Sequence, residues 1–287
     1  MFKINKQVGS AQSFDQNWAN RNEAKLNHWI SGEPENQVQL AFRMHWNLFK
    51  QLLDEPNNDY KSCLEVGCGR GTISSYFSSA GYECTLLDSS QNAIALAKSI
   101  FEQMGQTATF IRDDANAMPF AQDSFDVVVS IGLLEHFEEI SKPIKEQVRV
   151  LKKGGACLMY IVPHREDNIQ KYFKYVNQVI STLARVFKIN LNEVPKSEIY
   201  RNNLDSSAYI NILKEENIKD FTVYGVYPLP MISTSPHFPF TLLPKSLEYI
   251  VVKIFIIVLY VRKLLFLKNP WICREKLGQA FLIFFKK

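Results

Sequence analysis

The chain has 287 residues, which is enough for one large domain or two small ones and for a buried core. Apolar content of 46% with 22% charged residues is ordinary for a globular protein. The net charge of +4 is unevenly placed: from Lys245 onward nine Lys/Arg stand against two Asp/Glu, a net of +7, leaving −3 on the first 244 residues. These bases lie among Phe, Ile and Leu rather than in a polar stripe, which argues against nucleic acid and for an anionic surface such as lipid headgroups.

The five cysteines, Cys63, Cys68, Cys84, Cys157 and Cys273, are odd in number and lack metal-ligand spacing. They read as reduced core residues of a cytosolic protein. Met1-Phe2-Lys3-Ile4-Asn5-Lys6 is not followed by a long apolar run, so no signal peptide is expected. No internal repeat or low-complexity tract is found.

Residues 1–60 precede the first strand. Phe14, Trp18, Trp29, Phe42, Trp46 and Phe49 recur at roughly helical spacing, and Val38–Leu53 reads as one amphipathic helix. This helical lead-in is expected to cap a ligand mouth. Arg21, Arg43 and His45 would supply polar contacts there, or else form the solvated face of a packing helix.

From Ser62 a regular alternation begins. Strands are predicted at Ser62–Val66, Cys84–Asp88, Ala108–Arg112, Phe125–Ile131 and Ala156–Val162, with helices at Thr72–Ala80, Gln91–Met104 and Ile140–Val150. Repeated strand-helix units predict an α/β fold with a doubly wound, mostly parallel sheet. Ligands then sit beyond the carboxyl ends of the strands.

The first strand runs into Leu64-Glu65-Val66-Gly67-Cys68-Gly69-Arg70-Gly71. A strand, a glycine-dense turn and a helix N-terminus make a nucleotide-binding corner. The dinucleotide pattern G-x-G-x-x-G would need glycine at position 72, which is Thr72. The glycines instead give G-x-G-x-G, with Glu65 two residues before the first. The second strand ends at Asp88, about twenty residues on, where a carboxylate can accept from both hydroxyls of a ribose or merely cap the following helix.

The glycine turn resembles motif I of the class I S-adenosylmethionine-dependent methyltransferases. Arg112-Asp113-Asp114-Ala115-Asn116-Ala117-Met118-Pro119-Phe120 followed by Phe125-Asp126-Val127-Val128 resembles the family's "D-A-x-x-L-P-F … F-D-x-V" segment, with Met118 in place of leucine. Leu134-Glu135-His136 and the Leu151-Lys152-Lys153-Gly154-Gly155 turn fit the same pattern, which covers about residues 60–165. The resemblance, at family level to the ubiquinone and menaquinone biosynthesis methyltransferases, implies a Rossmann-like seven-stranded sheet and S-adenosyl-L-methionine as cofactor. It implies cofactor contacts from Glu65, Gly67, Cys68, Gly69, Gly71, Asp88, Ser89, Asp114, Ala115 and Ser130. Asp114 would accept from the adenine amino group, and the Ala115 N–H would serve a ring nitrogen.

His136 falls near the expected methyl-transfer point, where a histidine is suited to general-base work; alternatively, Glu135 and His136 organise the loop. One subgroup of the family binds a divalent metal with a glutamate at the position of Gly132, so no metal is expected. Val162-Pro163-His164-Arg165 lies at the same edge, and His164 and Arg165 are candidates for substrate or cofactor contacts.

The remaining residues are read as additions to this core. Residues 166–203, with an aromatic amphipathic helix at Gln170–Phe187, would be a lid over the substrate site. A helix from Asp205 to Glu216 and a strand at Phe221–Tyr227 return to the sheet (204–227), and Gln279–Lys287 would be its seventh strand. Residues 228–278 then form an insertion holding the apolar stretch Tyr249–Leu267. Lys253 and Arg262-Lys263 interrupt that stretch, so it reads as a helix lying in a membrane interface or on the lid. The expected partner is a small-molecule or lipid-like acceptor, such as a quinone precursor, isoprenoid or lipid-linked glycan. Peripheral membrane contact through 245–278 is expected on a cytoplasmic protein. The sequence sets no oligomeric state. Two other readings stay open: a non-catalytic module of the same fold, and a nicotinamide-dependent oxidoreductase.

Overall fold

A computed structural model describes residues 15, 28–54, 59–186, 200–234, 242–265 and 269–287. An eight-stranded sheet runs through the molecule in the order β3-β2-β1-β4-β5-β8-β6-β7. Its parallel half comprises β1 (Ser62–Val66), β2 (Glu83–Asp88), β3 (Thr109–Arg112), β4 (Phe125–Ile131) and β5 (Leu151–Ile161). The antiparallel half comprises β6 (Phe221–Val226), β7 (Ile272–Cys273) and β8 (Ala280–Lys286).

β8 lies between β5 and β6, pairing Leu158 with Phe284 on one side and Thr222 with Phe284 on the other. A strand with two neighbours and both faces covered must be apolar throughout. The run Ala280-Phe281-Leu282-Ile283-Phe284-Phe285 meets that demand, burying Leu282 on one side and Phe281, Ile283 and Phe285 on the other. The eighth strand, β7, exceeds the expected seven. It is two residues long, and it closes on β6 where Gly225 meets the Arg274 backbone: a Cβ on Gly225 would lie 2.4 Å from the Arg274 carbonyl carbon.

Helices cover both faces. On one side lie α1 (Gln37–Leu53), α2 (Thr72–Ser79) and α3 (Gln91–Gln103), with Phe49, Phe77 and Phe101 in one core. On the other lie α4 (Ser141–Val150) and α6 (Ser206–Glu215), with Ile144, Val148, Tyr209 and Leu213 in a second. α1 begins where the Asn36 side chain accepts from the Gln39 N–H at 2.9 Å, and α3 where Ser90 accepts from the Ala93 N–H at 3.1 Å.

Two helices extend beyond this scheme. α5 (Lys174–Val186) follows a 3₁₀ turn at Ile169–Phe173. It buries Asn177, Ser181 and Ala184 and turns Tyr175, Val176, Val179, Leu183 and Val186 outward. Asn177 is tied by its amide to the Met231 carbonyl and the Ser233 N–H. α7 (Lys245–Leu264) occupies the apolar stretch and buries Val252, Phe255 and Leu259. No helix among the described residues is long and apolar enough to cross a membrane.

Candidate active site

The strand order reverses between β1 and β4, and the glycine turn sits at that point, where ligands enter open α/β sheets. Gly67, Gly69 and Gly71 all have left-handed φ, +70°, +51° and +69°. Gly67 N–H and Cys68 N–H both donate to the Leu87 carbonyl, at 2.8 and 3.0 Å, which hooks the turn onto the end of β2. A Cβ on Gly67 would lie 2.6 Å from Leu133 Cδ1, and one on Gly71 2.5 Å from Leu86 Cδ2. Bare backbone is therefore what the turn presents.

Asp88 stands beside it. One carboxylate oxygen accepts from the Gly69 N–H and the other from the Ser90 N–H, each at 2.9 Å. Burial raises its pKa against these hydrogen bonds. The carboxylate is thus oriented by main chain on both sides, and each oxygen retains acceptor capacity. The side-chain cap of α3 is Ser90 itself, and Asp88 braces the Ser90 N–H just before that helix. Ser89 is exposed next to it.

The end of β3 is tied to the same rim by Asp113 N–H, which donates to the Asp88 carbonyl at 3.2 Å. Asp114 is exposed and accepts from the Asn116 N–H and amide at 2.9 and 2.8 Å, while Ala115 is buried. Asp15, which the sequence did not single out, accepts from Ser90 Oγ at 2.5 Å and from the Asn92 amide at 3.0 Å. Asp15 thus sits at the Asp88 end of the rim. Its pKa is lowered, first by the Ser90 hydrogen bond.

Three of the expected cofactor residues face elsewhere. The Glu65 carboxylate accepts from Ser74 N–H and Oγ at 3.0 and 2.5 Å, fastening the first turn of α2, and burial pushes its pKa to about 8. Ser130 donates to Gln147 Oε1 at 3.1 Å, so its hydroxyl serves the packing of α4. Cys68 is buried within the turn, and burial holds its thiol well above the usual range.

The loop after β4 touches the glycine turn at one end, through Leu133, and holds a buried pair at the other. Glu135 is 1% exposed; its Oε1 is 3.7 Å from Arg201 Nη2 and 4.0 Å from His136 Nε2. Burial lifts its pKa to about 7, with Arg201 opposing. His136 Nδ1 lies 2.7 Å from the Tyr200 carbonyl, and a hydrogen bond with the Gly132 backbone also acts on the ring. Burial lowers the His136 pKa to about 4.

Residues 200–202 staple this loop. Asn202 N–H donates to the Glu135 carbonyl at 2.7 Å, and the Asn202 carbonyl accepts from His164 N–H at 2.8 Å. No motif in the sequence marks Arg201 or Asn202, because the partners that tie them to this loop and to Val162 lie more than thirty residues away in the chain.

The other candidates from the sequence divide. The His164 side chain is exposed beside the rim. Arg165 is bonded to Glu275 Oε1 at 2.6 Å and lies over the Phe281 ring, so it belongs to the sheet edge and not to a ligand. Arg43 donates to the Ile30 and Gly32 carbonyls. His45 is buried, accepts from Trp271 Nε1 at 3.0 Å, and is pushed by burial to a pKa of about 3. Neither Arg43 nor His45 reaches a mouth. Arg21 lies outside the described residues.

The sheet order and this glycine-rich rim are similar to those of class I, S-adenosylmethionine-dependent methyltransferases. Residues 64–159 match the family model described as "Methyltransferase domain". The chain is 31% identical over 118 residues to an uncharacterized methyltransferase, YcgJ, of Bacillus subtilis, covering 40% of this chain and 47% of that one. The crystal structure of the YcgJ protein overlays with a TM-score of 0.53 at 19% identity, covering 85% of this chain and 98% of that one. Phthiotriol/phenolphthiotriol dimycocerosates methyltransferase of Mycobacterium leprae is 35% identical over 115 residues, 39% of this chain and 42% of its own. Norajmaline N-methyltransferase of Rauvolfia serpentina is 28% identical over 120 residues, 41% of each. The chain thus spans less than half the length of the curated relatives it matches.

Proposed function

We propose that the protein transfers a methyl group from S-adenosylmethionine to a small-molecule or lipid-like acceptor. The observation that carries this reading is the Asp88 carboxylate, held by the Gly69 and Ser90 N–H groups beside a turn of three left-handed glycines. A cofactor with a ribose and no pyrophosphate needs such a surface. Gly67, Gly69 and Gly71 offer close backbone approach, Asp88 takes the ribose hydroxyls, and Asp114 with Ala115 faces the adenine edge. Glu65 acts from behind by fixing α2. When bound, the cofactor supplies an electrophilic methyl on a sulfonium.

The chain's own contribution is chiefly positioning, which holds the reactants at near-attack geometry. His136 is the first candidate to take a proton from the acceptor, with Glu135 Oε1 4.0 Å from its Nε2. His164 is the secondary candidate.

Relatives are named for phthiotriol/phenolphthiotriol dimycocerosates and for norajmaline. The first supports a large, lipid-like acceptor here, as do the outward apolar sides of α5 and α7. The basic, apolar segment 245–278 favours peripheral contact with a membrane over contact with nucleic acid. A non-catalytic module is the competing reading; the glycine spacing speaks against a nicotinamide enzyme.

Calorimetric titration with S-adenosylmethionine and S-adenosylhomocysteine, beside Asp88→Ala, tests the proposal. Micromolar binding that the variant loses is expected. No binding by folded wild-type protein overturns it and favours the module.

A further inference from the structure

α5 is built inside out. A helix on a soluble surface ordinarily buries its large apolar residues and exposes its small and polar ones. Here Asn177, Ser181 and Ala184 are buried, while Tyr175, Val179 and Val186 are 75%, 58% and 68% exposed. α7 is apolar on both sides. Its inner side packs Val252, Phe255 and Leu259, and its outer side carries Ile250, Ile254, Ile257, Val261 and Leu264 in a 4-3-4-3 spacing, 44–64% exposed. Among the described residues, the exposed large apolar side chains lie on these two helices and their immediate flanks, apart from Tyr200 and Leu277.

The two helices are fastened to one short segment by polar groups on their inner sides. Asn177 and Gln170 bond Met231, and Asn177 also accepts from Ser233 N–H. Between them Ile232 exchanges two hydrogen bonds with Gln37, at 2.8 Å each. Gln37 in turn donates to both oxygens of Glu248 on α7, each at 2.9 Å. Glu248 also accepts from Leu243 N–H at 2.8 Å. Asn177 and Glu248 are thus committed inward, while the outward sides mix large apolar side chains with exposed bases and, on α5, Gln178 and Thr182.

Charge decides what covers them. Residues 169–186 carry Lys171, Lys174 and Arg185 and no acid. α7 carries Lys245, Lys253, Arg262 and Lys263, and its one acid, Glu248, is 2% exposed. Lys253 is paired with Glu33 at 2.6 Å, and Arg262 with the Pro270 and Ile272 carbonyls. A second copy of the chain would set these bases against one another. An anionic bilayer attracts them, takes the aliphatic side chains below its headgroups, and accommodates Tyr172, Tyr175, Tyr249 and Tyr260 at its polar boundary.

We propose that the outward sides of α5 and α7 together form the surface by which the protein lies on an anionic lipid bilayer. The inference deepens the lipid-like acceptor reading and rests on it. It gives α5 a docking role.

The test is co-sedimentation of the full chain with vesicles of phosphatidylcholine, with and without phosphatidylglycerol. Variants are V179E/L183E on α5 and I254E/I257E on α7. Wild-type protein is expected to pellet with the anionic vesicles and to be released by salt. Each double variant should bind about tenfold more weakly or worse, with an unchanged far-ultraviolet circular dichroism spectrum. Hydrogen exchange of wild-type protein should slow at 174–186 and 245–264 when anionic vesicles are added, which reads the surface without any variant. Pelleting that is absent in wild type, or equal in the variants, overturns the proposal. So does a wild-type dimer in sedimentation equilibrium that the same substitutions dissociate, since that would assign the surface to self-association. Titration with S-adenosylmethionine on the same samples separates the two readings: vesicle binding without cofactor binding overturns the methyl-transfer reading alone.

Discussion

The Asp88 carboxylate and the Gly69 N–H are joined at 2.9 Å beside the switch point of the sheet, so the acid that ends β2 and the glycine turn that follows β1 form one unit. Asp88→Ala removes the acceptor for Gly69 and Ser90 together. It should cost about 1–3 kcal/mol of stability and abolish measurable S-adenosylmethionine binding. Asp88→Asn keeps the shape and one oxygen, so it should retain most of the stability while still weakening the cofactor. Thermal unfolding and calorimetry on both variants check the separation.

Gly67 and Gly81 allow strain and overpacking to be told apart. Both have positive φ, +70° and +91°. A Cβ on Gly81 meets nothing within 4 Å, whereas one on Gly67 meets Leu133 Cδ1 at 2.6 Å. Gly81→Ala should cost the backbone term alone, about 1–2 kcal/mol. Gly67→Ala should cost a further ~1–3 kcal/mol through displacement of Leu133. Because Leu133 belongs to the loop that holds Glu135, Gly67→Ala should also depress transfer more than its stability loss explains. Urea unfolding of the two variants supplies the comparison.

Local signals carried most of the sheet and the cofactor corner into view. The glycine turn, the twenty-residue spacing to Asp88 and the apolar run from Ala280 each report a requirement met within a few residues. What escaped depends on distant partners. His45 looked available until Trp271 met it from 226 residues away. Arg165 looked free until Glu275 did so from 110. α5 has the periodicity of a buried helix; its orientation is set by Asn177 and the segment at Met231–Ser233, which no pattern within the helix reveals. β7 is too short to carry any alternation.

Glu65 and Glu135 should govern stability on the alkaline side. Their pKa values rise from 4.5 in the unfolded chain to about 8 and about 7 in the folded one. The folded state therefore binds protons more tightly, and stability present below pH 4.5 is lost as pH rises through the folded values. His45 and His136 act oppositely, falling from 6.5 to about 3 and about 4, so their share is present above pH 6.5 and lost on acidification. Between pH 4.5 and 6.5 the two pairs offset, and above 6.5 the carboxyl pair acts alone. Wild-type stability should fall from pH 6.5 to 8, and Glu65→Gln, which keeps an acceptor for Ser74, should flatten that fall. Denaturant midpoints across this range give the answer.

His136 offers the sharpest test of a proton-transfer role. Its Nδ1 lies 2.7 Å from the Tyr200 carbonyl, which fixes the ring in the loop. Burial lowers its pKa to about 4, so the ring is neutral through the physiological range, a weak base whose contribution would come from position rather than basicity. A base so placed contributes about 10²–10⁴-fold to turnover. His136→Gln should therefore lower kcat by ~10²-fold or more while leaving S-adenosylmethionine affinity unchanged. In wild type the acid limb of kcat should fall near pH 4, and the variant should lose that limb. If His136 only organised the loop, the substitution would instead loosen Glu135 and Asn202, raising KM and lowering stability with the pH profile intact. The split between kcat and KM, read beside the pH profile, decides between the two roles.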